Sequence, residues 1–201
     1  MPHSNVDTKS QIFNTALRLF AEKGYENVSV RDIGKAVGIK AGSIYNHFVS
    51  KDEILEACFN FYLNNRYNSR LPKEQYEPIL RYGTKDEILK ILNYCWDEAI
   101  QENMFCALYV IYSRIYSDAR AKEIFASEIN NAVQYSSDFF NYGIAIGRFH
   151  EFNVQVISLL VLSARIFIAI STTIKPEQKF EWHKAELDIM DEMVKIVPFI
   201  Y

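Results

Sequence analysis

The stretch Ser29 to Phe48, SVRDIGKAVGIKAGSIYNHF, holds two short apolar-periodic segments separated by a glycine-containing turn. Ile33, Val37, Ile39, Ile44 and Phe48 recur where one face of each segment packs inward. Arg31, Lys40, Ser43, Tyr45, Asn46 and His47 are left to point elsewhere. Two short helices joined by a tight turn, the second crowded with small polar and aromatic side chains, form a helix-turn-helix. In that arrangement the second helix lies in the major groove of duplex DNA and the first crosses the backbone.

Working outward, start and stop signals divide the chain into helices. Thr8 to Gln11 (TKSQ), Ser50 to Glu53 (SKDE) and Thr84 to Glu87 (TKDE) have capping-box spacing, and Ser29 with Asp32 is a close relative. A first helix is expected from about Lys9 to Lys23, with Ile12, Ala16, Leu17 and Phe20 on one face and Gly24 as its stop. The second runs from about Val30 to Val37, the third from about Gly42 to Phe48, and the fourth starts after Ser50. Further helices are expected over Lys85 to Gln101, Met104 to Tyr116, Asp118 to Ile146, Val154 to Thr173 and from Pro176 or Glu177 to Val197. Pro72 and Pro78 bracket a looser link, Gly147 can cap the helix before it, and Asn153 can start the next. The expected class is all-α: a helix-turn-helix domain over residues 1–50 and a helical body over 51–201, linked by the fourth helix.

Composition agrees. The chain is 49% hydrophobic and 23% charged, ordinary for a globular protein. Its net charge of −3 conceals an asymmetry: residues 1–70 carry +2 and residues 71–201 carry −5, so an anionic partner would meet the first third. The polar beginning MPHSNVDTKS shows no signal-peptide pattern. Cys58, Cys95 and Cys106 have neither metal-ligand nor disulfide-framework spacing, which fits a reducing cytoplasm. The segment from Val154 to Ile174 is apolar enough to suggest a membrane span, but Arg165 at its centre favours a buried or partnered helix. No metalloprotease, nucleophile-elbow, P-loop or dinucleotide pattern occurs, and the four histidines are scattered, so no catalytic residue, metal site or cofactor is expected.

Ala16 to Leu55, ALRLFAEKGYENVSVRDIGKAVGIKAGSIYNHFVSKDEIL, closely resembles the DNA-binding region of the TetR family of bacterial transcriptional regulators. The resemblance implies a homodimer on a pseudo-palindromic operator, with a divergent helical body that dimerises and binds an inducer. Carried onto this chain, Tyr45, His47 and Lys51 match positions that hold backbone phosphates; Arg31, Lys40, Ala41, Gly42, Ser43 and Asn46 match positions that touch bases or nearby phosphates. Asn46 suits adenine and Lys40 guanine. Lys40 as a solvated turn lysine, Tyr45 as a scaffold aromatic and His47 as a core histidine are the competing readings. Where many members carry a serine before a basic residue or proline, this chain has Lys40 and Ala41, so base preference does not transfer.

The body is rich in aromatic residues. Phe59, Tyr62, Trp96, Phe105, Tyr109, Tyr112 and Phe139 are candidate lining for a pocket that takes a medium-sized, largely apolar ligand, with core or dimer packing as the alternative. Tyr142, Ile146, Leu160, Ala164 and Ile168 are candidate dimer contacts on the helices Asp118 to Ile146 and Val154 to Thr173. An activator, or a helical interaction protein without operator binding, are the competing functions.

Overall fold

A computed structural model of the chain describes residues 7–66, 70–92, 98–174 and 188. Within them the elements are α1 (Thr8–Lys23), a one-turn 3-10 helix (Tyr25–Asn27), α2 (Val30–Val37), α3 (Ala41–Ile44) and α4 (Lys51–Asn65). There follow α5 (Lys73–Tyr82), α6 (Lys85–Leu92), α7 (Glu98–Ser113), α8 (Ala119–Ala145) and α9 (Val154–Ile174). The all-α expectation holds, and the helix expected after Pro176 lies outside the described residues.

Helix ends follow local chemistry. Gly24 (φ 81°) ends α1, its N–H donating to the Phe20 carbonyl at 3.0 Å. The Asp118 carboxylate accepts the N–H groups of Arg120 and Ala121 and opens α8; the Asn153 amide oxygen accepts the Val156 N–H at 3.1 Å and opens α9. Gly147 (φ 72°) closes α8, with Arg148 N–H returning to the Gly143 carbonyl at 2.8 Å.

Four boundaries differ from expectation. Thr8 is already helical, and Asp7 holds the N-cap position of α1 without a side-chain cap bond. The third helix ends at Ile44 rather than Phe48, because turn bonds such as His47 N–H to the Ile44 carbonyl (2.8 Å) take over. Pro72 and Pro78 do not bracket a loose link. Pro72 precedes α5 and Pro78 lies inside it, and the helix holds because Tyr76 and Leu80 on its inner face are buried. Nor does a break precede Met104. Glu102 pairs with Arg18 (3.7 Å) and Asn103 donates to Asn14 (3.1 Å), so these polar residues dock α7 on α1 while Met104 and Ala107 are buried beside them.

The buried side chains form two cores. The first joins α1 to α4 with Met104, Ala107, Val110 and Ile111 of α7 and Ala121 and Ile124 of α8. It does not divide at residue 50: Ile54, Leu55, Cys58 and Phe59 of α4 pack into the same cluster as Ile33, Ile44 and Phe48. The second core, at the other end of α8, unites Tyr76, Leu80, Ile88, Phe139, Phe140, Phe149, Ile157 and Val161. A buried hydroxyl pair, Ser137 to Ser158 (3.2 Å), ties α8 to α9 inside the protein. No described helix is long and apolar enough to cross a membrane.

Gly143 is a tight point of this second core, since a Cβ there would sit 2.2 Å from the Phe149 ring. That ring packs against Phe139 and Phe140, and Phe140 is in turn backed by Phe152, so it cannot swing out freely. Gly143→Ala should therefore destabilise the chain by about 1–3 kcal/mol. Urea unfolding checks this, and a midpoint equal to wild type would show that the Phe149 ring yields.

Candidate nucleic-acid interface

The local sequence builds the reading head in steps. Ser29 and Asp32 form a complete capping box at α2: the Ser29 hydroxyl accepts the Asp32 N–H (3.2 Å), and the Asp32 carboxylate accepts the Ser29 N–H (2.8 Å). The Ser29 hydroxyl, and after it the Ser29 backbone, hold the Asp32 carboxyl below its ordinary range. At the far end Gly38 adopts the left-handed conformation (φ 83°, ψ 24°), and the N–H groups of Gly38 and Ile39 both reach the Gly34 carbonyl at 2.9 Å. This turn sets α3 against α2.

Packing then sorts the side chains. Ile33, Ile44 and Phe48 are buried, and Val37 and Ile39 pack against them, as the sequence periodicity requires. Arg31, Lys40, Gly42, Tyr45 and Asn46 are exposed, and Ala41, Ser43 and His47 are half-buried. Tyr45 is 55% exposed, so the scaffold reading of its ring finds no support in the packing. All the positions assigned to DNA except Lys51 thus share the α2–turn–α3 region and its continuation.

Lys51 is different. Its ammonium donates to the carbonyls of Tyr25 (3.0 Å) and Val28 (3.1 Å) and lies 4.0 Å from the Tyr25 ring centroid. With two of three donors engaged inside the protein, Lys51 is first a positioning residue that fixes α4 to the head. Tyr25 is the hub: its hydroxyl donates to Asp52, and the Arg114 guanidinium covers its ring at 4.4 Å. Burial, then the Asp52 carboxylate, push the Tyr25 phenol up, so it stays a donor. Arg114 also pairs with Glu26 (3.0 Å) and Asp118 (3.8 Å), joining the head to the α7–α8 corner. Sequence reasoning assigned no role to Tyr25, Asp52 or Glu26, because their partners lie far away in the chain.

The candidate pocket residues whose side chains are described fall in different parts of the body. Phe59 and Tyr62 are buried in the first core, Phe105 and Tyr109 are half-buried, and Phe139 lies in the second core. Tyr112 is partly exposed and stacks on Phe125. Trp96 lies outside the described residues. The reason is that α7 crosses α1 and α4, so its aromatic neighbourhood fills that seam.

Of the candidate dimer contacts, Tyr142 accepts a hydrogen bond from Arg81 (2.8 Å) and Ile146 packs on the second core, so both have partners within the chain. Leu160 is 49% exposed and Ala164 half-buried; the Ile168 side chain lies outside what the structure describes. Val156, Leu159 and Phe167 are exposed on the same face of α9 as Leu160, an apolar band at helical spacing.

Comparison with known proteins places this head. The signature of bacterial regulatory proteins, tetR family, matches residues 12–58. Residues 12–58 thus form a TetR-family DNA-binding head. The chain is 42% identical over 60 residues to the biofilm operon icaADBC HTH-type negative transcriptional regulator IcaR of Staphylococcus epidermidis. That match covers only 28% of this chain and 32% of the relative's own length. The whole TetR-like fold is similar to that of the regulator PfmR of Thermus thermophilus (TM-score 0.62, 24% identity, covering 92% of this chain and 96% of that one). It is also similar to a regulator from Saccharomonospora viridis solved in complex with choline (TM-score 0.63, 15% identity, 93% and 95% covered).

The capping box gives a pH test. A carboxyl held low in the folded state adds stability above its ordinary range, and that contribution disappears as pH falls through the depressed value. Asp32→Asn should therefore be less stable than wild type at about pH 7 and match it near pH 2. Urea unfolding at both values checks this; an equal deficit at both would mean Asp32 acts other than through its charge.

Proposed function

We propose that this chain is a homodimeric TetR-family transcriptional repressor that occupies a pseudo-palindromic operator and leaves it when a small ligand binds the body. The observation that carries the reading is the sorting of α2 and α3: a fully packed apolar face behind an exposed set comprising Arg31, Lys40, Tyr45 and Asn46. In this reading Tyr45 and His47, with Arg31 beside them, engage phosphates and set register, while Lys40, Ser43 and Asn46 meet base edges, with Ala41 and Gly42 admitting close approach. Repression is supported by IcaR, a negative regulator to which the chain is 42% identical over 60 residues. A ligand in the body is supported by the choline complex of a protein with the same fold. A DNA partner implies a cytoplasmic place of action.

The dimer is supported by the apolar band Val156, Leu159, Leu160 and Phe167, which a second copy would cover. Two heads on one duplex must sit about 34–36 Å apart, or a multiple of that, so a small pivot of α4 loses register. A ligand that prefers the pivoted state shifts the population towards release.

Fluorescence anisotropy with the DNA flanking the chain's own gene, against random duplex over a salt series, tests the reading. Selective binding that weakens steeply with salt is the expected result. Equal weak binding to both duplexes would refute an operator there. Asn46→Ala should relax selectivity at one base position by about 1–3 kcal/mol with no change in melting temperature. Leu160→Glu should halve the mass seen by light scattering and weaken operator binding; an unchanged mass would place the interface elsewhere.

A further inference from the structure

We propose that the carboxy-terminal end of α4, where it meets α8, is a recognition site for an aromatic carboxylate, with Arg70 as the residue that grips the acid. The inference rests on the ligand-responsive reading above and names the class of ligand.

The site is built around one carboxylate that serves several donors. Arg70 Nη2 bonds Glu128 Oε1, Arg66 Nη1 lies 3.7 Å from Glu128 Oε2, and the buried Tyr62 neighbours the same carboxylate. The side chains of Arg66, Arg70 and Glu128 are only 11–13% exposed, so this charge cluster is largely removed from water. Such clusters return little stability to a fold. Here burial pushes the Glu128 carboxyl up despite both arginines, so desolvation outweighs their attraction.

Beside the cluster opens a groove of about 450 Å³, lined among others by Arg70, Leu71, Pro72, Tyr76, Asn131 and Tyr135. Its apolar wall is aromatic. The Tyr76 and Tyr135 rings meet edge to face at 6.0 Å, and the Arg70 guanidinium lies 5.8 Å from the Tyr135 ring centroid. The Tyr135 hydroxyl donates to the Leu71 carbonyl, which fixes that ring in place. Of the other charges along the groove, Lys73 pairs with Glu77, and the Asp138 carboxylate accepts the neutral Gln134 amide.

Arg70 thus stands at the wall of an aromatic groove, holding its one carboxylate among the described residues through a single nitrogen. A guanidinium offers five donors in a planar fork suited to bidentate capture of a carboxylate. An entering aromatic acid completes that fork, lays its ring against Tyr76 and Tyr135, and competes with Glu128 for Arg70. Because Arg66 and Arg70 follow closely on α4, the competition acts on the helix whose other end is bound to the reading head through Lys51.

Isothermal titration of the full chain with 2-naphthoate and with its neutral isostere 2-naphthamide tests the site. The acid should bind about tenfold or more tightly than the amide, and Arg70→Gln should remove that preference. Equal affinities, no detectable binding of the acid, or a preference that survives Arg70→Gln would overturn the proposal. The comparison of acid with amide in the wild-type chain stands even where Arg70→Gln fails to fold. Operator anisotropy separates the two readings. Acid-selective binding without DNA release keeps the site and overturns ligand-driven release; release by a compound unaffected by Arg70→Gln, with no binding of the acid, does the reverse.

Discussion

Everything in this architecture that links reading to sensing depends on α4 being held at both ends. At its start the Lys51 ammonium gathers the carbonyls of Tyr25 and Val28, and the Asp52 carboxylate takes the Tyr25 hydroxyl. Past its end Arg66 and Arg70 close on Glu128 in the middle of α8. Between these anchors Ile54, Leu55, Cys58, Phe59 and Tyr62 are buried in the first core. A helix fastened in this way transmits a displacement at one end to the other, because its interior contacts are close-packed and have little room to absorb it.

The head was legible in the sequence because its constraints are local. Ser29 and Asp32 are three residues apart, the Gly38 turn closes on Gly34, and Ile33, Ile44 and Phe48 repeat at a spacing that fixes their face. The body was legible only as helices. Periodicity says that Phe59 and Phe139 are buried, and it cannot say that they are buried in different cores. Pro72 and Pro78 argue locally against a helix, yet α5 forms because Tyr76 and Leu80 find Phe139 and its neighbours through contacts made far along the chain, tertiary packing overriding local propensity. The same blindness hid the role of Tyr25, whose partners Lys51 and Arg114 are 26 and 89 positions away.

The division of labour between the two cores follows from this layout. The first core merges the head with α4, α7 and the start of α8, so head and lower body share one packed interior. The second core holds α5, α6, the end of α8 and the inner face of α9, where Ile157 and Val161 are buried. α8 is the element common to both, and Glu128 sits on it between Ile124 of the first core and Phe139 of the second.

That position gives the Glu128 cluster its leverage. Apolar packing on either side is insensitive to orientation at the level of a single hydrogen bond, whereas a buried carboxylate shared by two guanidiniums favours one geometry strongly. A cluster of this kind is poor at adding stability and good at choosing between arrangements, because losing one partner leaves charge without compensation in a dry place. Set at the junction of α4 with α8, it holds the end of α4 that lies away from the head in one arrangement against α8.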